Sequence, residues 1–161
     1  MSAPKTLAMR RLEAAGIGYD AHAYPSALRD AAEVAAALGV PAAVVCKTLV
    51  VVRPAGRPIL AIVAADRQLD LKRLAAALGE KRLQLASHAD AERLTGLQVG
   101  GISALAVRPG AFDVVIDAAA GAGERMFVSA GQRGLNLALA PADLARATGA
   151  RWVEGLGAGE P

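Results

Sequence analysis

Apolar residues along the chain recur with two spacings, and each spacing predicts a type of element. Apolar residues every three or four positions, with a cap before them and Gly after them, predict helices. We expect these helices at 4–15 (capped by Ser2 or Ala3), between Asp30 and Gly39, between Asp70 and Gly79, between Ser87 and Gly96, and at 141–148. Short apolar runs bounded by turn residues predict strands. These strands are expected at 17–24, 44–53, 59–65, 83–86, 104–108, 113–117, 125–129, 135–139 and 151–153.

The order of these elements favours a single α+β domain. The strands at 44–53 and 59–65 are separated by a Pro/Gly turn and predict a β-hairpin. Because hairpins outnumber strand–helix–strand crossovers, we expect a mixed and largely antiparallel sheet, curved or closed into a barrel, with peripheral helices. No repeat or long linker divides the chain. We therefore assign residues 1–154 to one domain and predict a mobile C-terminal tail at 155–161.

Composition narrows the functional classes. The chain has 161 residues, of which 54% are apolar and only 3% aromatic, and its net charge is +3. This mild positive charge is compatible with a polyanionic partner, but so few aromatic residues argue against a surface that stacks single-stranded bases. One cysteine and two histidines cannot supply a Cys/His zinc site, and the acids are scattered, so we expect no metal and no cofactor. The lone cysteine, the polar N-terminus and the lack of an apolar run of about 18 residues predict a cytoplasmic protein without a membrane span.

Lys47 is the first candidate for chemistry because it interrupts the apolar strand at 44–53. A buried ammonium is unfavourable unless it reaches water or an anion. One interpretation is that the side chain extends to the surface along the strand and has no catalytic role. The other is a cation that faces a cleft and holds an anionic or carbonyl oxygen. The chain has 14 arginines and only four lysines, which favours a site that needs a compact ammonium.

Two glycine-containing segments, at 96–103 and 129–134, offer backbone N–H groups to a ligand. Neither has the spacing of a Walker loop or a dinucleotide fingerprint, and either segment could be no more than a tight turn. Cys46 is interpreted as a buried structural cysteine, since its lysine neighbour would point to the other face of the strand. We expect surface or capping roles for His22 and His88. No Ser-His-Asp or Gly-x-Ser-x-Gly signature is present in the sequence.

Several short motifs, in a fixed order, carry a resemblance to a known family. They are Val45-Cys46-Lys47-Thr48-Leu49, Gln68-Leu69-Asp70-Leu71-Lys72, Gly100-Gly101-Ile102-Ser103, Ile116-Asp117, and the segment from Val128 to Leu135 with Ser-Ala-Gly-Gln-Arg-Gly. As a set, these motifs resemble the YbaK family, the prolyl-tRNA-synthetase-associated editing domains that occur as free-standing aminoacyl-tRNA deacylases. The likeness is greatest to members that remove Cys from the tRNA for proline.

The resemblance implies hydrolysis of the ester between a wrong amino acid and the 3′-terminal ribose of a tRNA. It assigns catalytic positions to Lys47, Gly100 and Gly101, where the ammonium and loop N–H groups would stabilise the developing oxyanion. Substrate contacts are assigned to a wider set of residues: Tyr24, Thr48, Ile102, Ser103, Ser129, Gly131 and Asn136. The implied partners are a mischarged tRNA and prolyl-tRNA synthetase.

Two positions depart from the family pattern and keep other functions open. Ala104 stands where Gly-Gly-Ile-Ser is usually followed by Pro, and Asn136 replaces the Asp of Gly-Leu-Asp with a neutral amide. A non-catalytic module that binds tRNA or a synthetase is therefore an alternative, and a deacylase of another small acyl ester is a third hypothesis. Six arginines are candidates for contacts with tRNA phosphates, although each is compatible with an ordinary surface position: Arg10, Arg11, Arg29, Arg53, Arg57 and Arg133.

Overall fold

Five α-helices lie at the predicted positions in the computed structural model, which describes residues 4–28 and 30–159. They are α1 (Leu7–Ala14), α2 (Ala31–Leu38), α3 (Leu71–Leu78), α4 (His88–Thr95) and α5 (Pro141–Thr148). The predicted caps Asp30, Asp70 and Ser87 are confirmed, because each side chain accepts a hydrogen bond from a backbone N–H of the first turn. Helices α2 to α5 each end at a left-handed glycine, which the sequence predicts for α2, α3 and α4.

The first helix begins later than predicted. The hydroxyl of Thr6 accepts a hydrogen bond from the N–H of Met9 at 3.2 Å and caps the helix. The helix therefore starts at Leu7 and not at Pro4. Ser2 and Ala3, the caps expected from the sequence, lie outside the described residues.

The described residues contain ten strands in three sheets. The strands are β1 (Asp20–Ala23), β2 (Cys46–Val52), β3 (Ile59–Ala64), β4 (Gln68–Leu69), β5 (Gln84–Leu85), β6 (Asp113–Asp117), β7 (Met126–Ser129), β8 (Leu135–Leu139), β9 (Arg151–Val153) and β10 (Gly157–Ala158). One sheet has the order β5-β2-β3-β6-β9, a second has the order β1-β8-β7, and β4 pairs with β10. The pairs β3–β6 and β6–β9 are parallel and the others antiparallel. The predicted α+β class with a mixed, largely antiparallel sheet is confirmed.

The two larger sheets meet without closing into a barrel. Within the described residues, Val45 and Phe127 form the isolated parallel bridge that joins them. Strand β2 pairs with β3 from Cys46 to Val51, but with β5 only at Val51 and Val52. The middle of β2 is therefore left with an open edge between the bridge and β5.

The segment 104–108 is a loop with turns, so the prediction of a strand there is wrong. Leu105 and Val107 are buried, as their apolar side chains indicate. Their backbone carbonyls, however, accept hydrogen bonds from the guanidinium of Arg11, at 3.0 Å for Leu105. A charged side chain thus satisfies carbonyl groups that a neighbouring strand would otherwise satisfy.

Part of the segment predicted to be a tail, residues 156–158, packs against the domain. Leu156 is fully buried, and its carbonyl accepts a hydrogen bond from the N–H of Asp70 at 2.8 Å. Gly157 and Ala158 then pair with β4. A buried leucine and a strand pair fix this segment to the domain, while residues 160–161 lie outside the described part of the chain.

The five-stranded sheet is covered on both faces, which gives the domain two aliphatic layers. Strand β3 is buried along its whole length and contributes alternate residues to each layer. Leu60 and Ile62 pack in the layer with α1, α4 and α5, whereas Ile59 and Val63 pack with Leu74 of α3. Full burial of each such side chain contributes roughly 1.5–3 kcal/mol to folding. These layers hold β2 rigidly beside the cavity described next.

Candidate active site

A cavity of about 330 Å³ lies along the open edge of β2. The bridge between Val45 and Phe127 closes one end of that edge, and the pairing of Val51 and Val52 with β5 closes the other. The opposite walls come from the start of α2, from α4 and from the loop that ends at Ile102. A central strand and several peripheral elements therefore converge on one partly open cavity.

Backbone groups of β2 also face this cavity. The carbonyl of Val45 accepts a hydrogen bond from Ala65 on the β3 side at 2.7 Å, whereas the carbonyl of Val50 accepts one from Ala86 on the opposite side at 2.9 Å. Successive residues of an antiparallel strand alternate in this way. The N–H and C=O of Thr48, which lines the cavity, consequently point from the strand edge toward it. They offer a ligand one donor and one acceptor.

Lys47 lies opposite Val63 on β3, and its partly buried side chain lines the cavity. Burial lowers the pKa of the Lys47 ammonium, while the nearby carboxylates of Asp30 and Asp66 oppose this change. None of the ion pairs among the described residues involves Lys47. Of the two interpretations offered by the sequence, the structure has the lysine in a cleft.

The glycine loop has two different functions at two adjacent residues. Gly100 lines the cavity with a positive φ of 94°, which favours glycine at this position. Gly101 is buried behind the wall, where a Cβ would lie 2.9 Å from backbone atoms of Gln132 and Arg133. Its N–H already donates to the carbonyl of Gln98 at 2.8 Å. The Gly101 N–H is therefore already paired within the protein, and the structure shows the residue packing one turn against the other.

The other predicted substrate contacts divide between the cavity and its supports. Tyr24, Ile102, Ser129 and Asn136 line the cavity together with the residues already described. Ser129 and Asn136 are paired on β7 and β8, and Asn136 is only 4% exposed. Strand pairing thus brings together two residues that lie seven positions apart in the chain.

Ser103 and Gly131 do not line the cavity. Ser103 is buried, and its hydroxyl accepts a hydrogen bond from the N–H of Leu105 at 3.2 Å. The N–H of Gly131 donates to the hydroxyl of Ser129 at 3.1 Å, and a Cβ on Gly131 would lie 3.0 Å from Ala106. Both residues shape the loops around the cavity, so direct substrate contact is not supported for either.

Sequence reasoning did not identify two ionisable residues that line the cavity, Asp30 and His88. Asp30 was assigned only as the cap of α2, and it does accept a hydrogen bond from the N–H of Ala32 at 3.2 Å. His88 is the exposed first residue of α4. The sequence shows that each residue lies at the start of a helix. It does not show that the two helices start beside the same cavity, because that depends on the tertiary fold.

Cys46 also borders the cavity, but its thiol is not prepared for nucleophilic attack. Burial, together with the nearby carboxylates of Asp117 and Asp66, raises the pKa of Cys46 to about 12. The thiolate that attacks is then almost absent at neutral pH. The interpretation of Cys46 as a buried structural residue is therefore confirmed.

The arrangement combines the Lys47 ammonium, the Asp30 carboxylate and neutral polar groups in a partly buried space. The Lys47 ammonium can stabilise a negatively charged oxygen, and the strand edge can orient a polar ligand. Within residues 4–28 and 30–159, no three His, Cys, Asp or Glu side chains form a group that could hold a metal ion. The site is suited to charge stabilisation of a small polar ligand.

Comparison with known proteins identifies the family of this domain. The family described as aminoacyl-tRNA editing domain matches residues 25–147. EbsC of Enterococcus faecalis (strain ATCC 700802 / V583), described as a candidate Cys-tRNA(Pro)/Cys-tRNA(Cys) deacylase, is 32% identical over 152 residues, or 93% of this chain and 92% of EbsC. The multifunctional Ser/Thr-tRNA deacylase ProXp-y of Escherichia coli (strain K12) is 45% identical over 51 residues, or 32% of this chain and 30% of that protein.

A solved structure has the same fold. It is described as a candidate trans-editing enzyme for prolyl-tRNA synthetase, and its TM-score is 0.82 at 26% sequence identity. The match covers 98% of this chain and 100% of that structure. The likeness extends over the sheets and helices that surround the cavity.

The fold and cavity together define an α+β domain with a small, lysine-containing site. The chain belongs to the aminoacyl-tRNA editing domain family. The resemblance to the YbaK family is confirmed, and so is the predicted enzyme class, an aminoacyl-tRNA deacylase. Every helix of the described residues is too short to cross a membrane.

Proposed function

We propose that the protein is a free-standing trans-editing hydrolase that removes Cys, or another small amino acid, from mischarged tRNA(Pro). The observation that carries this proposal is the partly buried Lys47 ammonium beside the open edge of β2, in a cavity of about 330 Å³. A space of this size accepts a small aminoacyl group. The names of EbsC and of the trans-editing structure support the choice of substrate and of prolyl-tRNA synthetase as a partner. A function in translation places the protein in the cytoplasm.

In the proposed reaction, the bond between the acyl carbon and the 3′-ribose oxygen breaks. A nucleophile adds to the acyl carbon, negative charge develops on the carbonyl oxygen, and the ribose oxygen leaves with a proton. Lys47 and the N–H of Thr48 stabilise the developing charge, and the loop at Gly100 and Ile102 closes the cavity around it. The attacking group is a water, which a ribose hydroxyl of the substrate can orient. For a cysteinyl ester it can instead be the substrate thiol, which forms a cyclic thioester that water then opens to the free amino acid.

Asp30 supplies a feature that this substrate requires. The amino acid of an aminoacyl-tRNA carries a positively charged α-ammonium group beside the ester. Asp30 contributes a carboxylate to the lining, opposite in charge to that group, while Tyr24, Ser129 and Asn136 are neutral. We therefore assign the α-ammonium to Asp30 and the ester oxygens to the Lys47 side of the cavity.

Selection among amino acids rests on the volume that the lining leaves free. One methylene group in an apolar pocket changes binding by only about 1–3 kcal/mol. Val34, Ala91 and Ile102 line the cavity with apolar side chains and limit its size. Aminoacyl esters of different small amino acids should therefore be hydrolysed at graded rates, and none of them should be excluded completely.

A non-catalytic module that holds tRNA or a synthetase is the second candidate function. It is favoured by Asn136, a neutral amide in the cavity where the family pattern has a carboxylate. Restoring the charge with Asn136→Asp separates the two candidates. A large gain of hydrolysis from an inactive parent would support the binding module, whereas an already active parent would support the hydrolase.

The proposed function is tested by release of amino acid from tRNA(Pro) charged with Cys, Ala, Ser or Thr. We expect release above the spontaneous rate for at least one of them. A parallel panel of simple acyl esters without tRNA tests the third hypothesis. Failure to release any of the four amino acids would refute the proposed function.

A further inference from the structure

A second cavity, of about 520 Å³, lies next to the candidate active site. It is formed by the end of β2, the first half of α3 and the segment 81–84. The two cavities share the same pair of strands. Val50 and Leu85 line the first cavity, and their neighbours Val52 and Gln84 line the second. The short strand β5 is thus the boundary between them.

Three exposed cations give this second cavity its charge: Lys72, Lys81 and Arg82. None of them takes part in an ion pair among the residues that the structure describes. A fourth cation of the lining, Arg53, is different because it is bound to Glu80 at 3.1 Å and to Asp113 at 2.6 Å. Glu80 and Asp113 are thus paired with Arg53, and three positive charges remain for a ligand.

The distribution of lysines reinforces this contrast. Three of the four lysines in the chain, Lys47, Lys72 and Lys81, line one or other of the two cavities. Several arginines that the sequence offered as phosphate ligands instead bind groups of the protein itself. Arg11 and Arg133 donate to backbone carbonyls, and Arg57 pairs with Asp113. Arg29 lies outside the described residues.

We propose that Lys72, Lys81 and Arg82 form a phosphate-binding surface for the acceptor strand of the tRNA whose 3′ end enters the neighbouring cavity. The identity of the ligand as tRNA rests on the proposed function. Phosphates attract flexible ammonium and guanidinium groups without regard to base sequence. Leu85 lies between the cavities and is 51% exposed, so it offers apolar contact to the nucleotide that crosses β5.

The experiment measures the Kd of a labelled, deacylated tRNA(Pro) transcript by fluorescence anisotropy over a series of salt concentrations. The test variant combines Lys72→Gln, Lys81→Gln and Arg82→Gln. The control combines Arg108→Gln, Arg146→Gln and Arg151→Gln, which remove the same charge from exposed residues that line neither cavity. Arg151 lies on β9, at the opposite edge of the sheet from β5.

We expect the test variant to bind roughly 10- to 100-fold more weakly at low salt, and the control to stay within about threefold of wild type. Each lost phosphate contact lowers the slope of log K against log salt by about 0.7–0.9, so the slope should fall by about 2 to 3 in the test variant alone. Equal losses in both variants, or no loss in either, would overturn the proposal. Binding of a small phosphate compound or an acidic protein with unchanged tRNA affinity would also overturn it.

This measurement uses no hydrolysis and therefore separates the inference from the proposed function. If the wild-type protein releases no amino acid but the test variant binds tRNA more weakly than wild type, the hydrolase is refuted and the phosphate surface is supported. If the wild-type protein hydrolyses mischarged tRNA but the test and control variants bind tRNA equally well, the hydrolase is supported and the phosphate surface is refuted. Circular dichroism of each variant checks that the fold is unchanged.

Discussion

The cations that line the two neighbouring cavities differ in their exposure to solvent, and we expect them to act in different ways. In the active-site cavity, Lys47 is partly buried, its pKa is lowered by that burial, and Asp30 contributes a carboxylate to the same lining. In the second cavity, Lys72, Lys81 and Arg82 are exposed. A charge removed from water interacts strongly with a neighbouring group, while an exposed charge is screened and acts mainly in numbers. We therefore expect Lys47 to affect the reaction and the exposed cations to affect tRNA affinity.

Replacing Lys47 is expected to have the largest effect. Lys47→Ala should lower kcat/KM for amino acid release by about 100- to 1000-fold, the usual cost of removing one group that stabilises an oxyanion. Its affinity for deacylated tRNA should stay within about threefold of wild type, because the phosphate surface is intact. Initial rates with mischarged tRNA and anisotropy with uncharged tRNA measure the two quantities. If Lys47→Ala lowered tRNA affinity as much as it lowers kcat/KM, the two cavities would not have the separate functions proposed here.

Gly101→Ala should destabilise the domain at the turn behind the wall of the active-site cavity. Its Cβ would lie 2.9 Å from backbone atoms of Gln132 and Arg133, so one of the two turns must move. Overpacking of this kind costs about 1–3 kcal/mol of unfolding free energy, which denaturant titration measures. Gly123→Ala is the control, because its Cβ would meet nothing within 4 Å. Equal stability of the two variants would show that the turns are not packed as described.

Asp30→Asn should have a smaller effect, confined to substrates with a free α-ammonium group. Asparagine keeps the helix cap but removes the charge, so the fold should not change. We expect KM to rise about fivefold, as for loss of a partly screened ion pair, and no rise for the N-acetylated aminoacyl-tRNA. Glu33→Gln removes a charge from α2 outside the cavity lining and should have no effect. An equal rise for both substrates would exclude contact between Asp30 and the ammonium.

The pH dependence should show the smallest shift and should report on Lys47 directly. Burial lowers the pKa of Lys47 below 10.5, so the ammonium loses its proton, and activity should fall, at a lower pH than for an ordinary lysine. Since Asp30 raises this pKa, Asp30→Asn should move the alkaline limb to still lower pH. Lys47→Arg keeps its charge and should abolish the limb. The measurement is kcat/KM against pH, corrected for spontaneous ester hydrolysis. An alkaline limb that is unchanged in Lys47→Arg would contradict this account.

Local chemistry made much of the fold predictable from the sequence. Asp30, Asp70 and Ser87 marked helix starts, and the apolar run around Lys47 marked a central strand, because caps and strand patterns depend on neighbouring residues. The segment 104–108 was mistaken for a strand because Arg11, distant in sequence, satisfies its carbonyls. The folded end at Leu156 was missed for the same reason, since its partner is the backbone of Asp70.

The candidate site was predictable only where a motif carried it. Lys47, Gly100 and Asn136 were assigned through the resemblance, and the structure brings all three to one cavity. Gly101 had the same motif but a different role, which follows from its contact with the turn at Gln132. Asp30 could not be assigned to the cavity from the sequence, because its position depends on the packing of Val34 and Ala35 of α2 with Val45 and with Phe127 of β7.

Kinetics on two substrates test the division between the cavities most directly. The substrates are Cys-tRNA(Pro) and the cysteinyl ester of adenosine, which has the reacting ester but no phosphates. We predict that Lys47→Ala lowers kcat/KM about equally on both, whereas the triple Gln variant of Lys72, Lys81 and Arg82 lowers it only on the tRNA. The same relative loss on both substrates for the triple variant, or full activity of Lys47→Ala on the adenosine ester, would contradict the account.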